Sequence, residues 1–333
     1  MHPATVLYQE AHRPISLPVC DHYCGRLDLL AKSLAMQARL GPVLDVTADC
    51  EDGARVGDEI DHVTQVAAAL ASPANRFGRL GVRPHPVAHP LFARQVAILL
   101  APGGRPPAFL TLPKVNTLAE VETAAACVEH HEQRAGIGQP VPFQVLIESP
   151  AALPQLHAIA AHPRVEALCF GLMDYVSSFE GAVGADAMHG ERQFEHPLLA
   201  RALVDIAVAA QAHGKVASHS VTLAIGDGEA AGRDARRAAR DFGYRRKWSI
   251  HPRQVEPIIA AFRPSHDEVQ TAGEILLAAR AADWGPIRHR DQLHDRASYR
   301  YWWQVLVRAR LTGAPVDEAV RRAFADENAA LTP

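Results

Sequence analysis

Two carboxylates follow short apolar runs in the middle of the chain. Glu148 comes directly after Phe143–Ile147, and Asp174 comes directly after Leu168–Met173. Each run is typical of a buried strand, and the residues after it are typical of a turn into a helix. In a barrel of parallel strands such positions meet on one open face, where catalysis takes place. Because Mg²⁺ takes one or two carboxylates and completes its shell with water and substrate, we predict that Glu148 and Asp174 bind magnesium and act in catalysis.

Three further charged residues end apolar runs at similar intervals. Asp49, Arg83 and Lys114 precede Glu148 and Asp174 in a series with separations of 34, 31, 34 and 26 residues. One strand–helix unit has about that length, so the series predicts a polar rim at one end of a barrel. The guanidinium of Arg83 suits a substrate carboxylate or a developing enolate oxygen. An ion pair with the nearby acidic residues is the alternative interpretation, and both can hold together.

A dense acidic segment lies at the start of this series. Asp49, Glu51 and Asp52 stand within four residues of one another, and like charges this close repel unless they are paired. We expect these carboxylates to meet Arg83, Lys114 or a supporting network. Because Glu148 and Asp174 already supply two ligands, the segment is predicted to support the metal site rather than to bind the metal directly.

The chain alternates between short apolar runs and longer helical patterns, which predicts strand–helix–strand units and a parallel sheet. The apolar runs lie near residues 15–20, 42–48, 79–82, 107–113, 142–147, 166–172, 214–218 and 246–250. The helical patterns include Gly25–Arg39, Asp61–Leu70, Thr117–Glu132, Ala151–His162, Pro197–His213 and Glu229–Phe242. Eight runs predict a (β/α)₈ TIM barrel over residues 1–264. A doubly wound open sheet is the alternative, but Gly226–Gly228 lacks the third glycine of its phosphate-binding motif.

The last part of the chain has a helical pattern without strands. Helices are predicted over Asp267–Ala281, Ala297–Leu311 and Pro315–Ala325, with a break at Trp284–Pro286. Helices that follow a closed barrel cannot join its core, so they must pack outside the barrel or on a neighbouring subunit. We therefore predict that residues 265–333 form a C-terminal helical extension that contacts another copy in a homo-oligomer.

Composition excludes several classes of protein. The chain has 333 residues, 48% of them hydrophobic and 21% charged, which is ordinary for a globular enzyme. A net charge of −3 predicts no nucleic-acid partner and no membrane surface as partner. No signal pattern and no membrane span is recognised. Five scattered cysteines predict reduced thiols and a cytoplasmic location.

These residues resemble the citrate lyase β-subunit-like proteins of the HpcH/HpaI aldolase superfamily, which include malyl-CoA and citramalyl-CoA lyases. The resemblance covers about Gly25 to Val269. Its most specific match is Phe242–Pro252, which resembles the last barrel strand of the family. The other matching segments are Asp49–Asp52, Val82–Pro84, Leu112–Val115, Ile147–Ser149 and Pro163–Asp174.

The resemblance implies a (β/α)₈ barrel, Mg²⁺ held by Glu148 and Asp174, and Arg83 at the reacting centre. The implied chemistry makes or breaks a carbon–carbon bond between a 2-oxo acid and an acyl-CoA thioester. Such a metal polarises the carbonyl, and such an arginine stabilises enolate charge. Further residues implied to bind substrate are Arg26, Lys114, Gly171, Leu172 and Met173.

The chain departs from the family pattern at two places. Met173 stands where the family often has an acidic residue, and Ser218–Ser220 replaces the usual Asp-Gly. His219 could serve in acid–base chemistry or be a structural histidine. In several relatives an aspartate of the C-terminal tail enters a neighbour's site as acid or base, and Asp295 is the candidate here.

The sequence therefore predicts a Mg²⁺-dependent lyase that acts on a 3-hydroxy dicarboxylic acyl-CoA. Two alternatives remain open. One is an acyl-CoA thioesterase on the same scaffold, in which water takes the place of the 2-oxo acid. The other is a β-type subunit of a citrate lyase-like complex that acts on an acyl-carrier protein.

Overall fold

The computed structural model describes residues 2–8, 14–53 and 57–325 and divides the chain into two compact units. One unit comprises Pro18–Ala261, and the other comprises Met1–Leu17 together with Phe262–Pro333. Residues 1–264 were predicted to form the barrel. In the structure the N-terminal segment groups with the C-terminal helices instead, and the boundary falls at residue 262.

The first unit is a closed barrel of eight parallel strands that follow one another in chain order. The strands are β1 Cys20–Cys24, β2 Leu44–Asp49, β3 Leu80–Arg83, β4 Leu110–Leu112, β5 Phe143–Ile147, β6 Val165–Phe170, β7 Val216–His219 and β8 Arg246–Ser249. The barrel closes where β1 pairs with β8. The prediction of a (β/α)₈ barrel is thus confirmed, and the open-sheet alternative is wrong.

The first predicted strand was misplaced. The apolar run near residues 15–20 contains Pro18, which has no N–H to give to a neighbouring strand. Strand β1 begins at Cys20, where the run ends, and continues through Asp21, His22 and Tyr23. Because these side chains are largely polar, the strand has no apolar run that would predict it.

Helices cover the strands and fill the second unit. The α-helices are α1 Pro3–Leu7, α2 Leu27–Leu40, α3 Glu59–Ala71, α4 Phe92–Leu99, α5 Leu118–Ala135, α6 Leu156–Ala161, α7 Leu172–Ser177, α8 Arg192–Glu195, α9 Pro197–Ala212, α10 Gly228–Phe242, α11 Pro252–Phe262, α12 His266–Ala281, α13 Arg296–Leu311 and α14 Glu318–Ala323. Local signals set several ends. Thr117 and Glu120 form a capping box at the start of α5, and left-handed Gly136 ends it.

One predicted helix is replaced by two shorter segments. The pattern over Ala151–His162 becomes a 3₁₀ helix, Pro150–Gln155, followed by α6. Pro154 lacks the N–H that an α-helix needs at an interior position. The regular α-helix begins at Leu156, after the proline.

The barrel interior contains a buried charge network at the N-terminal ends of its strands. Arg246 of β8 is fully buried and pairs with Asp21 at 2.9 Å and Asp45 at 2.5 Å. Arg79, which precedes β3, pairs with Asp45 at 2.5 Å. These pairs satisfy charges that would otherwise be costly to bury. They belong to the end of the barrel opposite the predicted catalytic rim.

Glu166 lies near this network and makes the stability of the barrel depend on pH. Its Oε1 accepts a hydrogen bond from Gln144 at 3.0 Å, and burial raises the pKa of Glu166 from 4.5 to about 7. The folded chain then binds more protons than the unfolded chain between about pH 4.5 and 7, so this contribution to stability is lost as the pH rises through 7. In Glu166→Gln, we expect the free energy of unfolding to fall by about 1–2 kcal/mol less over this pH range than it does in the wild type. Urea unfolding of both proteins at pH 5, 6, 7 and 8 measures it. Parallel curves would contradict the assignment.

The second unit has its own hydrophobic core. Helices α1, α12, α13 and α14 enclose buried residues that include Ile275, Leu276, Tyr299, Trp303 and Leu306. A short antiparallel hairpin, β9 Ile287–His289 and β10 Gln292–His294, lies between α12 and α13 and was not predicted. Within the described ranges, no helix is both long and apolar enough to cross a bilayer. The predicted contact of this extension with another copy stays a prediction.

Candidate active site

The C-terminal ends of β2 and β3 bring an acidic and a basic residue together. Asp49 and Arg83 are register partners at the ends of these strands. Arg83 Nε lies 2.8 Å from Asp49 Oδ1, and Arg83 Nη2 lies 2.5 Å from Asp49 Oδ2. Arg83 Nη1 lies 3.1 Å from Glu51 Oε2. Two carboxylates therefore hold the guanidinium in one orientation, and they raise its pKa further above the ordinary value.

Lys114 completes the charged cluster at the end of β4. Its Nζ lies 2.7 Å from Glu51 Oε1 and 3.0 Å from Asp52 Oδ2. Its backbone is left-handed, with φ at 55°, which is uncommon for a residue with a side chain. In this conformation the Lys114 N–H donates to Glu148 Oε1 at 2.6 Å. One residue therefore holds the acidic segment with its side chain and Glu148 with its backbone.

Glu148 and Asp174 follow the neighbouring strands β5 and β6. Glu148 is 5% exposed, and Asp174 is partly exposed in the first turn of α7. Burial, followed by the negative charge of Asp174, raises the pKa of Glu148 from 4.5 to about 8. The structure thus places the two carboxylates close enough to repel each other. A cation between them would remove that repulsion.

Gly171 gives Glu148 the space that it occupies. A Cβ at position 171 would lie 2.5 Å from Glu148 Cβ and 2.7 Å from Glu148 Oε2. The Gly171 N–H also donates to the carbonyl of Ile147 at 2.9 Å, which fixes the turn after β6. Any larger side chain would therefore have to displace the carboxylate or the turn.

Gly171→Ala is expected to damage the site while leaving the barrel folded. The new methyl group would push Glu148 away from Asp174, so we expect magnesium affinity and turnover each to fall by at least about tenfold. Gly138→Ala is the matched control, because nothing lies within 4 Å of a Cβ there and its φ is not positive. Isothermal titration with MgCl₂ and circular dichroism of both variants measure the effects. Wild-type affinity in Gly171→Ala would contradict the role of this contact.

The donor chemistry of the rim fits a hard divalent cation. Five carboxylates, at positions 49, 51, 52, 148 and 174, face two cations, Arg83 and Lys114, which formally leaves three negative charges uncompensated. These carboxylates offer oxygen atoms, which Mg²⁺ prefers. Among residues 2–8, 14–53 and 57–325, no group of three or more His, Cys, Asp or Glu forms a potential metal site. A site made of two carboxylates and completed by water and substrate stays a prediction.

Other predicted residues lie in different surroundings. Arg26 is exposed and pairs with Asp28 at 2.9 Å beside a cleft of about 390 Å³. Met173 is 49% exposed next to Asp174, whereas the side chain of Leu172 is buried. The predicted contact of Leu172 with substrate stays a prediction, and the buried side chain leaves it to the backbone. Asp295 belongs to the second unit, where it caps α13 through the N–H groups of residues 297 and 298. Its role in a neighbour's site stays a prediction.

The structure favours the structural interpretation of His219. The imidazole is fully buried, stacks on Phe194 at a centroid distance of 5.2 Å, and meets the ring of Tyr244 edge-on at 5.5 Å. Burial and the nearby Lys247 lower its pKa well below the ordinary value. A neutral histidine packed between aromatic rings has no access to a substrate proton, so the acid–base interpretation is wrong.

An aromatic pair beneath Arg83 escaped the sequence analysis. The rings of Tyr23 and Trp248 stack at 4.5 Å, and Arg83 Cζ lies 5.5 Å from the centre of the Tyr23 ring. The Tyr23 hydroxyl donates to Thr111 Oγ1 at 3.3 Å. These contacts add a cation–π interaction to the two ion pairs of Arg83. In the sequence, the alternation of side chains along β1 and β8 was the signal that could have placed Tyr23 and Trp248 together.

A closed parallel barrel with carboxylates, an arginine and a lysine at the C-terminal ends of its strands is the architecture of a barrel enzyme. The chain belongs to the HpcH/HpaI aldolase/citrate lyase family, whose model matches residues 44–252. The family resemblance drawn from the sequence is thereby confirmed. The prediction that the protein is a carbon–carbon lyase is also confirmed at the level of the family.

Individual relatives agree with this family. The chain is 30% identical over 268 residues to an L-malyl-CoA/beta-methylmalyl-CoA lyase of Cereibacter sphaeroides, covering 77% of this chain and 84% of the relative. A citrate lyase structure from Burkholderia xenovorans LB400 is 48% identical, with a TM-score of 0.85, over 97% of this chain and all of that chain. CitE of Mycobacterium tuberculosis, in complex with magnesium, acetoacetate and coenzyme A, shares the fold at 23% identity and a TM-score of 0.66, over 88% and 98%.

Proposed function

We propose that this protein is a Mg²⁺-dependent lyase that cleaves, or in reverse forms, a carbon–carbon bond between a 2-oxo acid and an acyl-CoA. The observation that carries the proposal is the meeting of Glu148, Asp174 and the doubly paired Arg83 at one rim of the barrel. The similarity to a malyl-CoA lyase supports the substrate class. A 3-hydroxy dicarboxylic acyl-CoA would be the substrate in the direction of cleavage.

Glu148 and Asp174 would hold the magnesium ion. When bound, the ion supplies a Lewis acid for the carbonyl oxygen of the 2-oxo acid. Glu148 is set for this role by the hydrogen bond from the Lys114 backbone to Oε1, which leaves Oε2 for a ligand. Asp174 stands in the first turn of α7, so its direction depends on how that helix begins.

Arg83 would stabilise the charge that develops on the thioester oxygen when the enolate forms. The Arg83 side chain is 12% exposed, so a largely buried cation still reaches the surface of the rim. Asp49 and Glu51 fix its orientation before substrate arrives. A cation held in advance where charge develops lowers the barrier without reorganisation during the reaction.

The rim also favours one kind of 2-oxo acid. The segments after β6 and β7, residues 171–191 and 220–232, contain no lysine or arginine. Met173 and Ile225 are instead about half exposed there. The arginines that directly follow these segments, Arg192 and Arg233, are already paired with Asp186 and Asp227. A second carboxylate on the 2-oxo acid would therefore find no unpaired cation in or next to these segments, so we propose an uncharged substituent, as in glyoxylate or pyruvate, rather than oxaloacetate.

CoA carries phosphates, so its site should offer positive charge. The cleft beside Arg26 has a volume in the range of ligand sites. Its wall also contains Asp28, Asp58 and Asp61, and Arg26 is already paired. This cleft therefore offers no net positive charge for the phosphates of CoA, and a contact of Arg26 with CoA stays a prediction.

A condensation assay tests the proposal. Purified protein with acetyl-CoA, Mg²⁺ and glyoxylate, pyruvate or oxaloacetate is expected to form a hydroxyacyl-CoA with the first two acids, detected by mass spectrometry, and to lose activity with EDTA. Release of free CoA without carbon–carbon bond formation would favour the thioesterase. Activity on an acyl-carrier protein but not on CoA esters would favour the citrate lyase-like subunit.

A further inference from the structure

Lys247 is a buried lysine next to the loop after β7, and the proposed chemistry does not use it. Lys247 of β8 is fully buried, and among the described residues its amine hydrogen-bonds to no carboxylate. Its Nζ donates instead to the Ser220 carbonyl, in a short hydrogen bond, and contacts His219 Nδ1 at 3.0 Å. A buried amine is costly unless its hydrogen-bonding capacity is used, so these contacts define the place of the side chain.

Ser220 connects this lysine to the helix that contains Asp174. The backbone N–H of Leu172 donates to Ser220 Oγ at 3.1 Å, and Ser220 is 1% exposed. Leu172 is the first residue of α7, and the first N–H groups of a helix have no partner within the helix. The hydroxyl of Ser220 therefore satisfies one of them and fixes where the first turn begins. Asp174 lies in that turn.

The segment that contains Ser220 is also held from its other side. Gln254 Nε2 donates to the Thr222 carbonyl at 2.8 Å, and Thr222 Oγ1 donates to Asp234 at 2.6 Å. Residues 220–222 are thus tied to β8, α10 and α11. With these ties in place, a change at Lys247 would move Ser220 without releasing the whole loop.

We propose that Lys247 is a positioning residue for the metal-binding carboxylate of Asp174 and acts through Ser220. The inference rests on the proposed magnesium site. Lys247 holds the Ser220 carbonyl, Ser220 holds the first N–H of α7, and the first turn of α7 carries Asp174. When a group that orients a metal ligand without contacting the metal is removed, metal affinity typically falls by about 10–100-fold.

The test compares magnesium affinity among three single variants and one double variant of the full chain. Ser220→Ala removes only the hydroxyl that receives the Leu172 N–H, and Lys247→Met removes the amine at similar volume. Ser33→Ala is the matched control, because Ser33 is also a buried serine whose hydroxyl makes one backbone hydrogen bond, in α2. Isothermal titration with MgCl₂ gives the affinity, and thermal unfolding shows whether each variant is folded.

We expect Ser220→Ala and Lys247→Met each to bind Mg²⁺ about tenfold more weakly, and Ser33→Ala to bind as the wild type does. The double variant should lose little more than either single variant, since both changes break one connection. If Ser220→Ala and the folded single variants bind as tightly as the wild type, the positioning role is excluded and the proposed function stands. If the wild type itself binds no Mg²⁺, the proposed function fails first. Should Lys247→Met not fold, Ser220→Ala alone decides.

Discussion

Replacing Glu148 with glutamine is expected to weaken magnesium binding by at least about 100-fold and to lower turnover by about 10³-fold. Glutamine keeps the size of the side chain and can still accept the Lys114 N–H through its carbonyl oxygen. It loses the negative charge on which a hard cation depends. Isothermal titration with MgCl₂ and a coupled assay of 2-oxo acid release measure the two effects.

The stability of Glu148→Gln shows whether Glu148 is a metal ligand or a residue that stabilises the fold. Burial and Asp174 disfavour the ionised form of Glu148, as its raised pKa of about 8 shows. An uncharged glutamine should therefore leave the metal-free protein as stable as the wild type, or more stable, at pH 8–9. Glu122→Gln, on the exposed face of α5, is the control and should change neither binding nor turnover. Intact Mg²⁺ binding and cleavage in Glu148→Gln would show that the site assignment is wrong.

Replacing Arg83 is expected to have the second large effect, and two replacements separate its charge from its shape. Arg83→Lys keeps a cation but loses the fork that meets Asp49 with two nitrogen atoms. We expect it to fold and to lose about 10²–10³-fold in kcat/KM, since the charge at the reacting centre is displaced. Arg83→Met should lose at least as much activity.

Arg83→Met should also be strongly destabilised. It leaves the carboxylates of Asp49 and Glu51 buried without their arginine, and breaking such a pair typically costs about 3–5 kcal/mol. Asp49 keeps hydrogen bonds from two backbone N–H groups, so the lower end of this range is expected. Urea unfolding measures it. Arg79→Lys is the control: it weakens a similar pair with Asp45 at the opposite end of the barrel and should not change kcat. Equal losses of kcat in Arg79→Lys and Arg83→Lys would contradict the role of Arg83.

The sequence predicted most of the barrel because its strands are short, apolar and regularly spaced. Runs such as 142–147 and 166–172 overlap β5 and β6, where both faces of each strand are buried. Strand β1 escaped because its Asp21 enters a buried ion pair with Arg246, which is distant in sequence. The N-terminal segment was assigned to the wrong unit for a related reason. Its contacts with α13 join residues almost 300 positions apart.

The sequence by itself determined the barrel and the order of its strands, and it placed Asp49, Arg83, Lys114, Glu148 and Asp174 at strand ends or a few residues after them. These features follow from local periodicity, which the closure of parallel strands converts into one common rim. Only the tertiary structure decided what those residues contact. The fork of Arg83 on Asp49, the left-handed backbone of Lys114 and the burial of His219 each depend on neighbours from other strands. Loop conformation and side-chain packing are set by such distant contacts, and no local pattern encodes them.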